Sequence, residues 1–383
     1  MTDPLPPINS QTGESVELID LAVSEDMIKA AQAVVRNKFV LDEAVEDFGA
    51  SMLARDLHDG AYGPAEPLPF LHRVLPFAYT MERVSGPRPA RVPTANTIGC
   101  SWRWRSNRMK AAQKAKCRSD LDNDTALLDG TLNDASYAWI KPLGIIAPGE
   151  GKNRPGFFRS EGIESIPANV SEWTYAAPSR MVLYVVKHSA FEATWAVLDG
   201  RWVEAVAHPS WTKPLMTAYG VATEKAWPDD FPAPAEVLMA FFDSPRVNSP
   251  LGDPEHRYAK VVDLATMTAI AEFQEEREST TVHELKGVQI DSRVWQFSIA
   301  GFLAAIMLLA LLPQGWTEAR VITGILLGAA GCAGMLPYLM NIVTVPRGGL
   351  SKEQYLPRER SPKDSGQGLG FLANLSSKPR IGI

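Results

Sequence analysis

Cysteine is scarce in this chain: Cys100, Cys117 and Cys332 are the only three in 383 residues, odd in number and widely spaced. That excludes a disulfide framework, and the lack of any C-x-x-C pair removes the usual zinc ligand spacing. The six histidines are scattered, with no two at i, i+4 on a helix face, so a histidine metal centre has no support. Neither a Gly-x-Ser-x-Gly elbow nor a Cys–His arrangement offers a hydrolytic nucleophile. Basic charge is missing in bulk as well. A net charge of -6 excludes a strongly basic nucleic-acid binder and leaves DNA contact to a local patch. The opening Met1-Thr2-Asp3-Pro4-Leu5-Pro6-Pro7 shows no basic region before an apolar run, so a cleaved secretory leader is not expected.

Two stretches lack charge altogether, Val294 to Gln314 and Val321 to Val345. Each is long enough to cross about 30 Å of hydrocarbon as a helix, and a helical hairpin would satisfy its own backbone. Lys286 and Arg293 precede the first run; Arg347, Lys352, Arg358, Arg360 and Lys363 follow the second, while Arg320 alone stands between. The expectation is a two-span transmembrane hairpin in a bacterial inner (cytoplasmic) membrane, with both termini cytoplasmic. Gly324, Gly328, Gly331 and Gly334 form a small-residue face suited to close helix packing, within the hairpin or in a homo-oligomer.

Before the hairpin the pattern predicts an α+β protein. Residues 1–22 read as a disordered arm and 23–250 as a cytoplasmic domain with a small mixed sheet and flanking helices. Residues 251–292 read as a helical stalk, 293–345 as the hairpin and 346–383 as a disordered basic tail. Ser24 is placed to cap a helix beginning Glu25-Asp26, with Met27, Ile28, Ala31, Val34 and Val35 at helical spacing. Ile140 to Ala147 and Ile166 to Val170 read as strands, with a short helix over Pro155 to Ser160 between them. Three more strands are expected over Met181–Lys187, Thr194–Leu198 and Trp202–Val206, the last two joined by a hairpin turn at Asp199-Gly200. Glu204 reads as an exposed strand position. Helices are expected near Trp211–Tyr219, Pro234–Phe242 and Glu255–Glu278.

The most basic segment carries Arg103, Arg105, Arg108, Lys110 and Lys114 beside Trp102 and Trp104. It suits contact with DNA phosphate or anionic lipid, and equally a solvated helix face whose tryptophans anchor a core. A second constellation lies where a strand gives way to a helix: Gly149, Glu150, Gly151, Lys152, Asn153 and Arg154. Glycines let a backbone approach phosphate, and the two cations add charge. A Walker loop would need a hydroxyl where Asn153 stands, to hold magnesium.

Glu150-Gly151-Lys152-Asn153-Arg154, followed by Phe157-Phe158-Arg159, Gly162 and Ile166-Pro167-Ala168-Asn169-Val170, resembles the core of the ParB/sulfiredoxin superfamily. The resemblance is close over 139–170 and extends at most to about 221. It implies a nucleotide or phosphate site in which Arg154 binds phosphate, Gly151 is the close-approach glycine, and Glu150 activates a nucleophile or helps hold metal. The ligand it implies is CTP, ATP or ADP, with Mg as a companion, and the chemistry is phosphoryl transfer, NTP hydrolysis or nuclease action. Lys152 and Asn153 replace the His-Arg often found in partition proteins, and no helix-turn-helix follows Val221. The superfamily's habits suggest a plasmid, phage or defence setting. The alternative is a non-enzymatic membrane scaffold that recruits DNA or a protein partner through the basic segment.

Overall fold

The computed structural model of the chain describes residues 16–48, 55–58, 63–100, 109–132, 135–188, 191–224, 226–243, 261–288, 292–341 and 343–351. They divide into two units, Met1–Ala265 and Thr266–Ile383.

The first unit opens with helix α1 (Glu25–Phe48). Ser24 caps it: its hydroxyl accepts from the Met27 amide at 3.2 Å, and Glu25 and Asp26 lie at the positive end of the dipole. Helix α2 (Pro67–Val74) follows, with proline at its first turn. Strand β1 (Arg88–Pro93) then pairs with a strand that arrives much later. Helices α3 (Ala111–Leu121) and α4 (Asp124–Leu128) precede β2 (Ser136–Ile140) and β3 (Ile145–Pro148). The predicted single strand over 140–147 is thus two strands of an antiparallel hairpin. A turn over Lys141–Leu143 ends at Gly144, whose φ of +57° suits glycine and reverses the chain.

Helix α5 (Arg154–Ser160) leads into β4 (Ser165–Trp173), which runs parallel to β2 and antiparallel to β1. The resulting mixed sheet has the order β1-β4-β2-β3. Both of its faces are covered. Along β3 the period of two sends Ile145 and Ala147 into one core with α1 and α2, and Ile146 into another with Phe157 and Phe158 of α5.

A second mixed sheet is built from β5 (Met181–His188), β6 (Phe191–Leu198), β7 (Trp202–Ala205), β8 (Ala222–Glu224) and β9 (Val261–Asp263), in the order β8-β5-β6-β7-β9. Asp199 and Gly200, at φ +54° and +66°, make the tight turn expected between β6 and β7. Helix α6 (Pro209–Tyr219) contributes Leu215 and Met216 to the core shared with α1, and α7 (Pro234–Asp243) follows.

The chain leaves this unit into helix α8 (Leu264–Glu275). Of the predicted helix over 255–278, residues 255–260 lie outside the described residues and Val261–Asp263 is strand β9, so the helix begins only at Leu264. Its charged end is not helical: Arg277–Thr280 is strand β10, paired antiparallel with β11 (Val343–Pro346). Between them stand α9 (Ser292–Leu311) and α10 (Thr317–Leu339). Arg347 closes the ribbon with ion pairs to Glu276 and Glu278 and lies over the Phe273 ring.

The transmembrane part of the sequence expectation is corrected here: among the described residues, no helix is long and apolar enough to cross a membrane. The uncharged runs overstate the apolar helix. Leu311 ends α9 before Pro313, α10 ends at Leu339, and the last residues of the second run, Val343 to Val345, form a strand opposite charged β10. The continuous stalk is likewise replaced by a helix and a ribbon. Close approach within the hairpin falls on Gly331, 3.7 Å from the Phe302 ring when a Cβ is placed there, whereas Gly324 and Gly328 face nothing within 4 Å. The hairpin exposes Phe297, Leu303, Met307, Ile325 and Leu326.

Candidate functional site

The six residues singled out from 149 to 154 form one turn between buried β3 and α5. Gly149 and Glu150 are exposed, and both amides point back to the Ser136 carbonyl, at 2.9 and 3.3 Å. Gly151 has φ +75°, the left-handed region that glycine enters without strain. The Arg154 amide donates to the Gly151 carbonyl at 2.9 Å and closes the chain into the helix. These bonds commit much of the turn's backbone. With α5 only 7 residues long and proline in its first turn, an anion here must be answered by side chains more than by free N–H groups.

A second strand of chain braces the turn from Gly99 and Cys100. The Cys100 amide donates to the Lys152 carbonyl at 2.8 Å, and a Cβ on Gly99 would come within 2.8 Å of the Pro155 Cβ. Lys152 forms an ion pair with Glu66, at the start of α2; the two side chains are 33% and 51% exposed. The Glu66 carboxylate, by hydrogen bond and charge, raises the pKa of the Lys152 ammonium, with smaller help from Cys100 and Glu150. Arg154 is buried at 6% exposure, close enough to Tyr137 for its charge to act on that phenol, which burial pushes the other way. The Asn153 side-chain oxygen is buried with no hydrogen-bond partner among the described residues.

Behind the turn, Lys38 and Asp42 of α1 form a second pair, with Nζ–Oδ2 at 2.5 Å and side chains 1% and 0% exposed. Burial raises the Cys100 thiol to about 11; the charges of Lys38, Asp42, Lys152 and Glu66 also bear on it. A thiol held that high is not a ready nucleophile at neutral pH.

The basic segment is only partly described. Arg103, Arg105 and Arg108 lie outside the described residues. The Lys110 amide donates to Gln113 at the start of α3, and Lys114 pairs with Glu161 at 2.9 Å. Among the described residues no three His, Cys, Asp or Glu side chains gather to hold a metal ion. Glu150 and Glu66 are the carboxylates that bear on Lys152, so a divalent cation would depend on oxygens brought by a ligand.

Two groups escaped the sequence reading. Glu66 carries no motif of its own in the sequence; the signal is its place just before Pro67, a favoured first helical position. Glu204 is not an exposed strand residue: it is 6% exposed on β7, and its carboxylate accepts the Phe77 amide at 2.7 Å. Phe77 holds a left-handed φ of +55°. Burial pushes the Glu204 carboxyl up to about 8, although the Phe77 hydrogen bond pulls it down. Its negative form bears on Tyr79, whose hydroxyl is buried without a hydrogen-bond partner among the described residues, and on Tyr175, whose hydroxyl donates to the Pro76 carbonyl at 2.5 Å. Glu204, Tyr79 and Tyr175 thus share one buried electrostatic neighbourhood. Comparison with known proteins adds no relative: no family model, curated protein or solved structure matches the chain.

Proposed function

We propose that the chain binds a phosphate-bearing ligand, a nucleotide, at the Gly149–Arg154 turn. The observation that carries this reading is the pairing of a half-open cation, Lys152, with a buried one, Arg154, on a glycine-bent turn at the end of a buried strand. Lys152 takes the phosphate directly, as a charged donor on a mobile stem. Arg154 adds a fixed positive charge behind it, and Gly149 and Gly151 keep the backbone bare enough for close approach. Glu150, exposed beside Lys152, is positioned to accept a proton or to share a magnesium ion that the phosphates bring with them. The superfamily resemblance at Glu150–Arg154 supports the same ligand class.

Calorimetry on the full chain with ATP, ADP, CTP and inorganic phosphate, each with and without Mg, tests it. Binding of at least one nucleotide is expected, weakened about ten-fold or more by Lys152→Ala, the usual scale for losing a charged hydrogen bond. Lys152→Ala is preferred to a change at buried Arg154 because a partly solvated ion pair contributes little to stability. Absence of heat with every probe overturns the proposal, and so does unchanged affinity in Lys152→Ala.

A further inference from the structure

In this structure the Lys152 ammonium already holds an anion. Its partner, Glu66, comes from a segment 86 residues earlier, immediately before α2. Glu66 is the residue before α2 but makes no capping bond to it, Pro67 and Pro69 having no N–H to offer. It reaches across to the turn instead. Both partners are partly solvated, so the pair opens by rotation of two side chains and needs no backbone movement. The pair behind it, Lys38–Asp42, offers no such freedom, because neither group meets water.

We propose that Glu66 is an internal competitor for the phosphate: it occupies Lys152 in the empty site and is expelled when ligand arrives. The proposal rests on the phosphate reading of the turn and adds its regulation. A phosphate group carries up to two negative charges against one on Glu66, so the exchange favours ligand once its concentration is sufficient. Until then the apparent affinity is lowered by the fraction of molecules in which Lys152 is free. Expulsion also frees a second carboxylate, beside Glu150, among those whose charge acts on Lys152.

The test compares ATP and inorganic phosphate binding to the full chain, by calorimetry, in the natural protein, in Glu66→Gln and in Glu192→Gln. Glu192 pairs with Lys187 on the β5–β6 hairpin, away from the turn, and gives the same change in net charge. Glu66→Gln should tighten binding about two- to five-fold, the range expected from releasing a solvated ion pair, with Glu192→Gln near the natural value. The gain should shrink in about 0.5 M salt, which screens the pair. If the natural protein binds and Glu66→Gln binds equally or more weakly, the competitor is overturned and the phosphate site stands. If no variant binds, both fall. The double change Glu66→Lys with Lys152→Glu restores a pair with its charges exchanged; thermal unfolding near that of the natural protein together with lost binding is the expected result. Natural-strength binding in that double variant overturns the proposal.

Discussion

Cys100 lies within the electrostatic reach of two lysine–carboxylate pairs that differ in almost everything but chemistry. Lys38 and Asp42 sit four residues apart on one helix, sealed at 1% and 0% exposure, with Lys38 lying over the Phe70 ring. Lys152 and Glu66 join distant segments at 33% and 51% exposure. Burial makes the first pair indispensable: once water is excluded, neither charge can lose the other without a large desolvation penalty. Solvation makes the second pair exchangeable, because water can take over from either member, and another anion from Glu66, at little cost. A shared chemistry is thus locked in one place and left open to exchange in another.

Glu204 extends the comparison to a carboxyl that is buried without a lysine, and the largest effect is expected there. Its folded pKa, about 8, lies above the ordinary value of 4.5. The native state therefore keeps a proton that the unfolded chain has released. Stability from this group is full below about pH 4.5, declines as pH rises, and is gone above about pH 8, a span on the order of 5 kcal/mol. Urea unfolding from pH 5 to 9 should show that decline, and Glu204→Gln should flatten it. A natural profile already flat across this range would return Glu204 to the solvated class.

Asp42→Ala probes the sealed pair and should cost about 3–5 kcal/mol in urea unfolding, since it strands the Lys38 ammonium in the core. A loss below about 1 kcal/mol would erase the distinction between the two pairs. The smallest expected effect belongs to the open pair. Lys152→Ala should change unfolding free energy by only about 0–1 kcal/mol while weakening nucleotide binding about ten-fold or more. A cost as large as that of Asp42→Ala would make Lys152 a structural residue.

How much of this was legible in sequence differs from element to element. Ser24 with Glu25 and Asp26 announced the start of α1, and Asp199-Gly200 announced the β6–β7 turn, because each depends on a few adjacent residues. The turn over 149–154 and α5 were legible for the same reason, down to proline in the first helical turn. Ile140 to Ala147 was misread as one strand because Gly144 reverses the chain inside a continuous apolar run, which hydropathy alone does not register. The uncharged runs at 294–314 and 321–345 misled in a related way: absence of charge does not say where a helix stops, and Val343–Pro346 is claimed by pairing with Arg277–Thr280. Glu66 and Glu204 were invisible because their meaning lies in partners 86 and 127 residues away.

By itself, the amino-acid sequence determined the local pieces: caps, tight turns, the alternation that buries both faces of β3, and the contiguous glycine-flanked cations of 149–154. These follow from the stereochemistry and solvation of neighbouring residues, which travel with the chain wherever it folds. Only tertiary structure decided which charges are sealed and which remain open, that Glu66 answers Lys152, that Glu204 is held from water beside Phe77, and where the uncharged runs cease to be helical. Burial and electrostatic partnership are properties of packed surfaces, and no single segment carries them.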